Sequence, residues 1–251
     1  MRKIPIALQM FTIRLEAQAD YMGALRKVAE IGYAGVEPAG CFIPPAEIRK
    51  ALDGLGLTAP SGHFPYEDMV NETSRIIETA LTLGLRYITC AAIPADMRNN
   101  ANGFRRAGEE FARAGEVCAR HGLGLCYHNH NFEFVRFDGK YGNDILFDSG
   151  DARYLKAQID TGWVQYAGED PAAYVLKYSG RCPLVHLKDM AGDAERSPTE
   201  IGNGIVDFAA IFGACQAAGV EWYIVEQDEC TGSAIESARI CLENLKGMGV
   251  A

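Results

Sequence analysis

The chain has 251 residues, of which 48% are hydrophobic and 23% charged, as in folded globular proteins. Lys and Arg number 24 against 33 Asp and Glu, so the formal net charge is −9. This argues against a protein that binds nucleic acid or an anionic membrane, because both depend on cationic contacts to phosphate. We find neither the apolar run of a signal peptide nor about 20 consecutive apolar residues, so we expect a cytoplasmic protein. The eight Cys residues form no C-x-x-C pair and are expected to be buried thiols in a reducing compartment.

A strand-then-helix unit recurs along the chain. Six helical patterns end at a Gly, a residue that readily takes the left-handed cap conformation, and a short apolar run follows each of them. With the N-terminal run and one that ends in Asp160, this predicts eight strands: 4–10, 34–37, the run from 57–59 that ends at Gly62-His63, 87–92, 123–128, 157–160, 183–187 and 221–226. Apolar spacing predicts helices over 21–31, 71–83, 105–120 and 208–218, and Asp207 and Ser233 are expected to be N-caps.

Strands that are apolar on both faces and alternate with helices indicate a parallel sheet covered by helices. Eight such units in about 250 residues predict an α/β protein with the (β/α)₈ TIM barrel fold. We expect residues 1–251 to form a single domain. An open doubly wound sheet is the alternative; it is less favoured because no G-x-G-x-x-G follows the first strand.

The barrel directs attention to the carboxyl ends of its strands, where the active sites of this fold lie. Strands one to three end near polar residues: Gln9, Glu37 and His63. Strands five to eight are followed by ionisable or aromatic residues: His128, His130, Glu133, Asp160, Trp163, His186, Lys188 and Glu226. Side chains two positions apart on a strand share a face, so His128 and His130 point the same way, as do His186 and Lys188.

Four of these residues, His128, Asp160, His186 and Glu226, can converge on one divalent metal ion. Each has a simpler interpretation when taken alone, since Asp160 can cap the next helix and Glu226 can be a surface charge. Their occurrence at four consecutive strand ends favours a metal site. Mixed carboxylate and imidazole ligands suit Mn²⁺, Co²⁺, Zn²⁺ or Fe²⁺. We expect Mn²⁺ first, with Co²⁺, Mg²⁺, Zn²⁺ or Fe²⁺ as alternatives. The cysteines lack ligand spacing and are not expected to bind the ion.

Several motifs of the chain resemble one family over nearly its whole length. They are Leu8-Gln9-Met10-Phe11-Thr12-Ile13-Arg14, Gly35 to Gly40, His128-Asn129-His130 with Phe132-Glu133-Phe134, Ile159-Asp160-Thr161-Gly162-Trp163, His186-Leu187-Lys188-Asp189, Gly202-Asn203-Gly204 with Val206-Asp207-Phe208, and Val225-Glu226-Gln227-Asp228. The set resembles the xylose-isomerase-like barrels of sugar isomerases and epimerases, a superfamily that includes inosose dehydratases and endonuclease IV.

The resemblance implies a ligand set and one departure from it. Epimerases of the superfamily take four metal ligands from strands five to eight, in the order Glu, Asp, His, Glu. Asp160, His186 and Glu226 match the last three, whereas His128 stands where the epimerases have Glu. That Glu is one half of their acid/base pair, so either Glu133 replaces it or His130 becomes the base. His130 falls where 3-dehydroshikimate dehydratases are expected to carry a catalytic His, which favours elimination.

The function expected from these residues is a divalent-metal-dependent sugar isomerase or epimerase. It would act on a keto-sugar or related polyol through a metal-stabilised enediolate. The alternative is a dehydratase or lyase that acts on an inosose or 3-keto-sugar with a His base; a non-catalytic sugar-binding barrel is less favoured. Endonuclease activity is opposed by the acidic balance and by too few His residues for three zinc ions.

The remaining candidates have subsidiary roles. His130, Glu226 or Glu133 is expected to take the proton, and Lys188 to protonate a leaving oxygen. The residues expected to bind substrate are Gln9, Glu37, His63 and Trp163. The cations noted at strand ends are Arg14 and Lys188, so we expect a small carbohydrate without phosphate. A homo-oligomer is possible, and no feature of the sequence decides it.

Overall fold

Eight parallel strands form the centre of the fold. The computed structural model describes residues 2–40 and 43–250. Within them the strands are β1 (Ile6–Gln9), β2 (Gly35–Glu37), β3 (Ser61–Phe64), β4 (Tyr87–Cys90), β5 (Gly124–His128), β6 (Leu155–Asp160), β7 (Leu184–Leu187) and β8 (Trp222–Val225). Two further antiparallel pairs of two-residue strands lie in the loops after β5 and β7.

The strands follow one another around a barrel. Each pairs with its neighbours in the order β2-β1-β8-β7-β6-β5-β4-β3, and all seven ladders are parallel. The ends of this order, β2 and β3, are joined by isolated parallel bridges, Gly35 with Thr58 and Ala39 with His63. The predicted (β/α)₈ barrel is confirmed, and the doubly wound alternative is wrong.

The helices cover the outside of the barrel. They are α1 (Arg14–Ala19), α2 (Tyr21–Ile31), α3 (Pro45–Leu55), α4 (Tyr66–Asn71), α5 (Thr73–Leu83), α6 (Ala101–Ala119), α7 (Gly142–Ser149), α8 (Thr161–Tyr166), α9 (Pro171–Lys177), α10 (Phe208–Ala218) and α11 (Ala234–Gly247). All six punctuating glycines have positive φ, as predicted: Gly32, Gly56, Gly84, Gly122, Gly180 and Gly219. Asp207 and Ser233 accept hydrogen bonds from Ala210 N and Glu236 N, which confirms both N-caps.

Three boundaries differ from the predictions. The third strand is Ser61–Phe64 and not the apolar run at 57–59, where Thr58 makes only an isolated bridge and Pro60 has no N–H to donate. The helix predicted over 71–83 corresponds to α5, which begins two residues later at Thr73 because Asn71 ends the preceding helix α4. Helix α6 begins at Ala101, four residues before the prediction, because Asn100 caps it by accepting from Gly103 N.

A layer of apolar side chains closes the lower part of the barrel interior. Its members come from five strands: Ala7, Tyr87, Cys126, Leu184 and Ile224. Two residues further along the same strands the buried side chains are polar: Gln9, Thr89, His128, His186 and Glu226. Alternate residues of a strand share a face, so the polar layer lies directly above the apolar one. The larger apolar core lies between the strands and the helices.

The thiols of the described residues are free and lie mostly inside the fold. Six are buried and Cys230 is half-buried, whereas Cys41 lies outside the described residues. The described helices include none long and apolar enough to span a membrane.

Candidate metal centre and active site

Strand register brings the four predicted metal ligands together. Asp160 of β6 is the Cα partner of His186 of β7, and Glu226 continues β8 by donating its N–H to Leu187 O at 3.1 Å. His128 ends β5 beside Gln158 of β6. The ligand atoms of His128, Asp160, His186 and Glu226 all lie within 4.8 Å of one another, and all four residues are buried.

The two carboxylate oxygens of Asp160 have different surroundings. Oδ1 accepts a hydrogen bond from Trp163 N at 2.8 Å and so caps α8. Oδ2 is buried and accepts no hydrogen bond, although Lys188 Nζ lies 3.1 Å away. Oδ2 lies 3.9 Å from His128 Nε2, which is also 3.9 Å from Glu226 Oε2. Two imidazoles and two carboxylates suit a divalent cation, so the residues fit the predicted group, and the cap and ligand interpretations of Asp160 are compatible.

Backbone contacts fix the ends of these strands. Asn129 pairs its side-chain amide with the main chain of Asp160, accepting from Asp160 N at 3.1 Å and donating to Asp160 O at 3.4 Å. Thr161 Oγ1 donates to His186 O at 2.9 Å. Strands β5, β6 and β7 are therefore tied together at the level of the cluster, which keeps its side chains in place.

Glu37 supports the cluster from below. Its carboxylate is fully buried and lies 2.7 Å from His186 Nε2. Burial opposes its ionisation, but the neighbouring His63 and His186 outweigh that effect and lower the pKa of Glu37. Its other partners come from three strands: Gln9 Nε2 at 2.7 Å, Gln158 Nε2 at 2.7 Å, His63 Nε2 at 3.1 Å and Ser61 Oγ. With Nε2 held by Glu37, the His186 ring turns Nδ1 towards Glu226 Oε2, at 3.0 Å.

Lys188 brings a positive charge into the same cluster. Its ammonium lies 3.1 Å from Asp160 Oδ2, 3.2 Å from Glu226 Oε2 and 2.7 Å from Asp228 Oδ2. Burial opposes its charge, but these carboxylates outweigh burial and raise the pKa of Lys188. A Cβ at position 162 would lie 2.8 Å from Lys188 Cβ, so Gly162 makes room for the lysine stem.

His130 lies at the rim of the cluster and Glu133 behind it. The imidazole of His130 is 4.9 Å from that of His128 and stacks on Phe132 at 5.5 Å. Burial and Lys188 lower the pKa of His130 to about 3, so the ring is neutral at pH 7, and its Nδ1 has no hydrogen-bond partner. Glu133 is fully buried; it accepts from Tyr127 Oη at 2.5 Å and from His130 N at 2.9 Å.

The predicted substrate residues occupy two levels. Gln9 and Glu37 are fully buried beneath the cluster, where they hydrogen-bond to each other and Glu37 contacts His186. Their contact with substrate stays a prediction. His63 and Trp163 are partly open to the barrel mouth; Trp163 lies under Lys188 Nζ, 4.9 Å from its ring centre. A groove of about 520 Å³ begins at His63 and extends past β4.

Sequence reasoning missed four polar residues around the site. Gln158 and Asp228 lie two residues from Asp160 and Glu226, so the rule that alternate strand residues share a face could have found them. Ser61 lies in a strand that was placed too early in the chain. Nothing in the sequence pattern singled out Arg98, which lines the groove.

The loop after β7 is organised by Asp189. Its buried carboxylate accepts from Gly202 N at 2.9 Å and Gly204 N at 3.0 Å, and also from Met190 N and Val206 N. A Cβ on Gly204 would come within 2.2 Å of Met190 O. The Gly202-Asn203-Gly204 motif therefore shapes the loop beside Lys188.

Comparisons with known proteins agree with this fold. The family model for the xylose isomerase-like TIM barrel matches residues 25–248. An inosose dehydratase of Clostridium beijerinckii is 25% identical over 244 residues, covering 82% of this chain and 81% of that protein. A sugar phosphate isomerase/epimerase of Parabacteroides distasonis superposes with a TM-score of 0.85 at 22% identity, covering 97% and 98% of the two chains. A structure described as IolI protein with a binding zinc atom has a TM-score of 0.77 at 11% identity, covering 97% of each chain.

These matches confirm the resemblance drawn from the sequence motifs. The family model spans most of the chain, and the barrel, its strand order and its strand-end cluster were established independently of it. The chain belongs to the xylose isomerase-like TIM barrel family.

Proposed function

We propose that the chain, acting as one barrel domain, is a divalent-metal-dependent enzyme that removes the proton next to the carbonyl of a keto-sugar or related polyol ketone. The observation that carries this proposal is the buried cluster of His128, Asp160, His186 and Glu226, with the neutral imidazole of His130 at its rim. Proton removal is the step that sugar isomerases, epimerases and dehydratases have in common, so the proposal covers the isomerase or epimerase expected from the sequence.

We propose that His128, Asp160, His186 and Glu226 hold the ion. A divalent cation bound there would polarise the substrate carbonyl and stabilise the negative charge that develops when the proton leaves. Mn²⁺ is our first choice because mixed carboxylate and imidazole ligands suit it. The zinc described for the IolI neighbour supports Zn²⁺ as an alternative. Metal analysis of the purified protein, followed by reconstitution with each ion, tests this choice.

We assign to His130 the role of the base that takes the proton next to the substrate carbonyl. Its ring is neutral at pH 7 and so has a nitrogen free to accept a proton. The rings of Phe132 and Trp163 hold it in place, and Glu133 holds its main-chain N–H. Glu133 is thereby a positioning residue for His130, because both of its oxygens are engaged away from the cluster. Lys188 stays charged and stabilises negative charge on a substrate oxygen.

One observation favours elimination as the fate of the deprotonated substrate. Epimerisation needs a second base or acid on the opposite face of the sugar, and the buried Glu133 is held by Tyr127 and the His130 main chain. Loss of a β-hydroxyl as water needs only His130, which takes the α-proton and can then give it to the leaving oxygen, with a cation such as Lys188 beside that oxygen. The name of the Clostridium beijerinckii relative, inosose dehydratase, supports this second candidate.

The experiment is proton NMR in D₂O with the metal-loaded protein and a panel of keto-hexoses, 3-keto-glycosides and inososes. Mg²⁺ or Zn²⁺ replaces Mn²⁺ for the spectra, so that paramagnetic broadening is avoided. Deuterium next to the carbonyl with the skeleton intact indicates an isomerase or epimerase. A vinyl signal or a released leaving group indicates a dehydratase or lyase.

Two variants make the test specific. His130→Ala is expected to keep the metal and to lose exchange at the α-carbon. His121→Ala removes the exposed histidine that follows α6 and precedes the amino end of β5, whereas His128 lies at the carboxyl end, and is expected to behave as the unmodified protein. Absence of exchange with every ligand despite stoichiometric metal, or full exchange in His130→Ala, would refute the proposal.

A further inference from the structure

The groove at the barrel mouth is apolar along most of its length. It begins at His63, whose imidazole is 5.2 Å from that of His128, and so it is continuous with the cluster. Phe11, Phe64 and Ile93 form much of its wall. A volume of about 520 Å³ lies in the range of small-molecule sites.

Arg98 places a positive charge in the wall of this groove and forms no ion pair with a carboxylate of the described residues. Its guanidinium lies over the ring of Phe132, 3.7 Å from the ring centre, and Nε donates to Ile93 O at 2.8 Å. Among residues 2–40 and 43–250 no carboxylate comes within 4 Å of it, and no hydrogen bond uses its two Nη groups. The side chain is thus held in place while the edge formed by Nη1 and Nη2 stays available.

Other arginines of the chain are used differently. Arg49, Arg153 and Arg239 pair with carboxylates on the surface. Arg14, at the other side of the groove, donates Nη1 to the main-chain oxygens of Phe11 and Asp228. Glu67 is the acidic side chain among the lining residues that the structure describes; it is exposed and holds Asn71 at 3.2 Å. Arg98 therefore differs from these arginines because it lies in the groove wall with both Nη groups unengaged.

Arg98 is also within reach of the reacting centre. The Phe132 ring centre is 3.7 Å from the Arg98 guanidinium and 5.5 Å from the His130 ring centre, so the guanidinium is at most about 9 Å from the His130 ring. A six-carbon keto acid bridges this distance, because four C–C bonds of about 1.5 Å span roughly 5 Å and a charge-assisted hydrogen bond adds about 2.8 Å.

We propose that the substrate is an acidic polyol ketone whose carboxylate is bound by the Nη edge of Arg98. This rests on the proposed function, since it assigns the reacting carbonyl to the metal cluster and the acid to the other end of the same molecule. A planar fork of two N–H groups matches the two oxygens of a carboxylate.

The test measures binding and does not require turnover. Dissociation constants of the Mn²⁺-loaded protein are measured by titration calorimetry for D-fructose, D-fructuronate and D-fructose 6-phosphate. These share one keto-hexose skeleton and differ at C6, which carries a hydroxyl, a carboxylate or a phosphate ester. We expect D-fructuronate to bind at least about 10-fold more tightly than D-fructose, since a hydrogen bond to a charged group is worth about 1.5–3 kcal/mol.

Variants identify the group responsible. Arg98→Ala is expected to weaken D-fructuronate binding by about 10- to 100-fold and to leave D-fructose unchanged. Arg98→Lys, which keeps the charge but not the fork, is expected to fall between. Arg105→Ala removes an exposed arginine of α6 that holds Asn102, and is the matched control, expected to change neither constant.

Three results would overturn the inference. One is equal affinity, or no measurable binding, for D-fructose and D-fructuronate in the unmodified protein. Another is a preference for D-fructose 6-phosphate, which would assign the groove to phosphate esters. The third is equal loss of both ligands in Arg98→Ala. D-Fructuronate is therefore added to the NMR panel. Arg98-dependent binding of D-fructuronate without deuterium exchange into it would count against the proposed reaction and leave the carboxylate site standing.

Discussion

Replacing Asp160 by Asn separates the two tasks of this side chain. Asn keeps an oxygen in the position of Oδ1, which accepts from Trp163 N and caps α8. It puts an amide nitrogen where Oδ2 lies, and an amide nitrogen does not ligate a divalent cation. We therefore expect Asp160→Asn to lose metal binding while α8 stays capped.

The size of the effect follows from linkage between binding and folding. An ion at 100 times its dissociation constant stabilises a protein by about 2.7 kcal/mol. For a domain of this size 1 kcal/mol raises Tm by about 2–4 °C, so metal should raise the Tm of the unmodified protein by about 5–11 °C. Asp160→Asn should show no rise.

Without metal the variant should be no less stable than the unmodified protein. Burial raises the pKa of Asp160 to about 6, so the ionised carboxylate is unfavourable in the folded state at pH 7. Lys188 keeps Glu226 at 3.2 Å and Asp228 at 2.7 Å as partners. Asp160→Ala is the comparison, because it also loses the cap and should cost about 1 kcal/mol without metal.

The assay is thermal unfolding followed by circular dichroism, in EDTA and then with Mn²⁺ or Zn²⁺, together with metal analysis of each sample. The reasoning is refuted if Asp160→Asn binds stoichiometric metal with the same rise in Tm. It is also refuted if the variant unfolds several degrees below the unmodified protein in EDTA, because Asp160 would then be a structural ion-pair partner.

Three further predictions concern the support of the site and the packing of the barrel. Glu37→Gln should lower metal affinity about 10- to 100-fold, because His186 Nε2 loses the carboxylate that orients its ring; competition with a chelator measures this, and unchanged affinity would contradict it. Burial raises the pKa of Glu133 from 4.5 to about 8, so between these pH values the folded state holds a proton that the unfolded chain has released. The free energy of unfolding in urea should therefore fall from pH 5 to pH 8. Glu133→Gln should flatten that fall, and an unchanged pH dependence in the variant would show that Glu133 titrates normally. Gly108→Ala should destabilise the fold by about 1–3 kcal/mol, since its Cβ would lie 2.1 Å from Leu146 O. The control Gly213→Ala in α10 places a Cβ that meets nothing within 4 Å and should be neutral or stabilising. Equal effects of both variants on Tm would show that the backbone around Gly108 adjusts without cost.

The spacing of apolar residues and the glycines that end helices were sufficient to predict the barrel, because both have local causes. A left-handed Gly such as Gly84 ends a helix through its own backbone, and the apolar strand β4 follows directly. The strand-end rule then selected His128, Asp160, His186 and Glu226, which the structure brings together. Their role as metal ligands stays a prediction.

What the sequence did not reveal depends on contacts between distant strands. Strand β3 was placed too early because its residues, such as Ser61 and His63, are polar and face Glu37, so they lack the apolar signature of a strand. Glu37 was expected to line the sugar pocket, but its burial under His186 depends on five strands meeting. Arg98 comes from a 3₁₀ turn and is defined by its contact with Phe132, which no spacing rule connects to it.

The closure of the barrel between β2 and β3 has a consequence for motion. Seven strand contacts are continuous ladders, whereas here the main-chain hydrogen bonds are those of Val36 N to Thr58 O, Thr58 N to Ala34 O and His63 N to Pro38 O. The sheet should open first along this seam between β2 and β3. The main-chain amides of the seam should exchange with solvent before those of the other strands. Glu37 spans the seam through Ser61 and His63 and also holds His186. Binding of an ion by the metal cluster should therefore slow amide exchange between β2 and β3, on the opposite side of the barrel. The metal-free protein should be the form in which these two strands separate most readily.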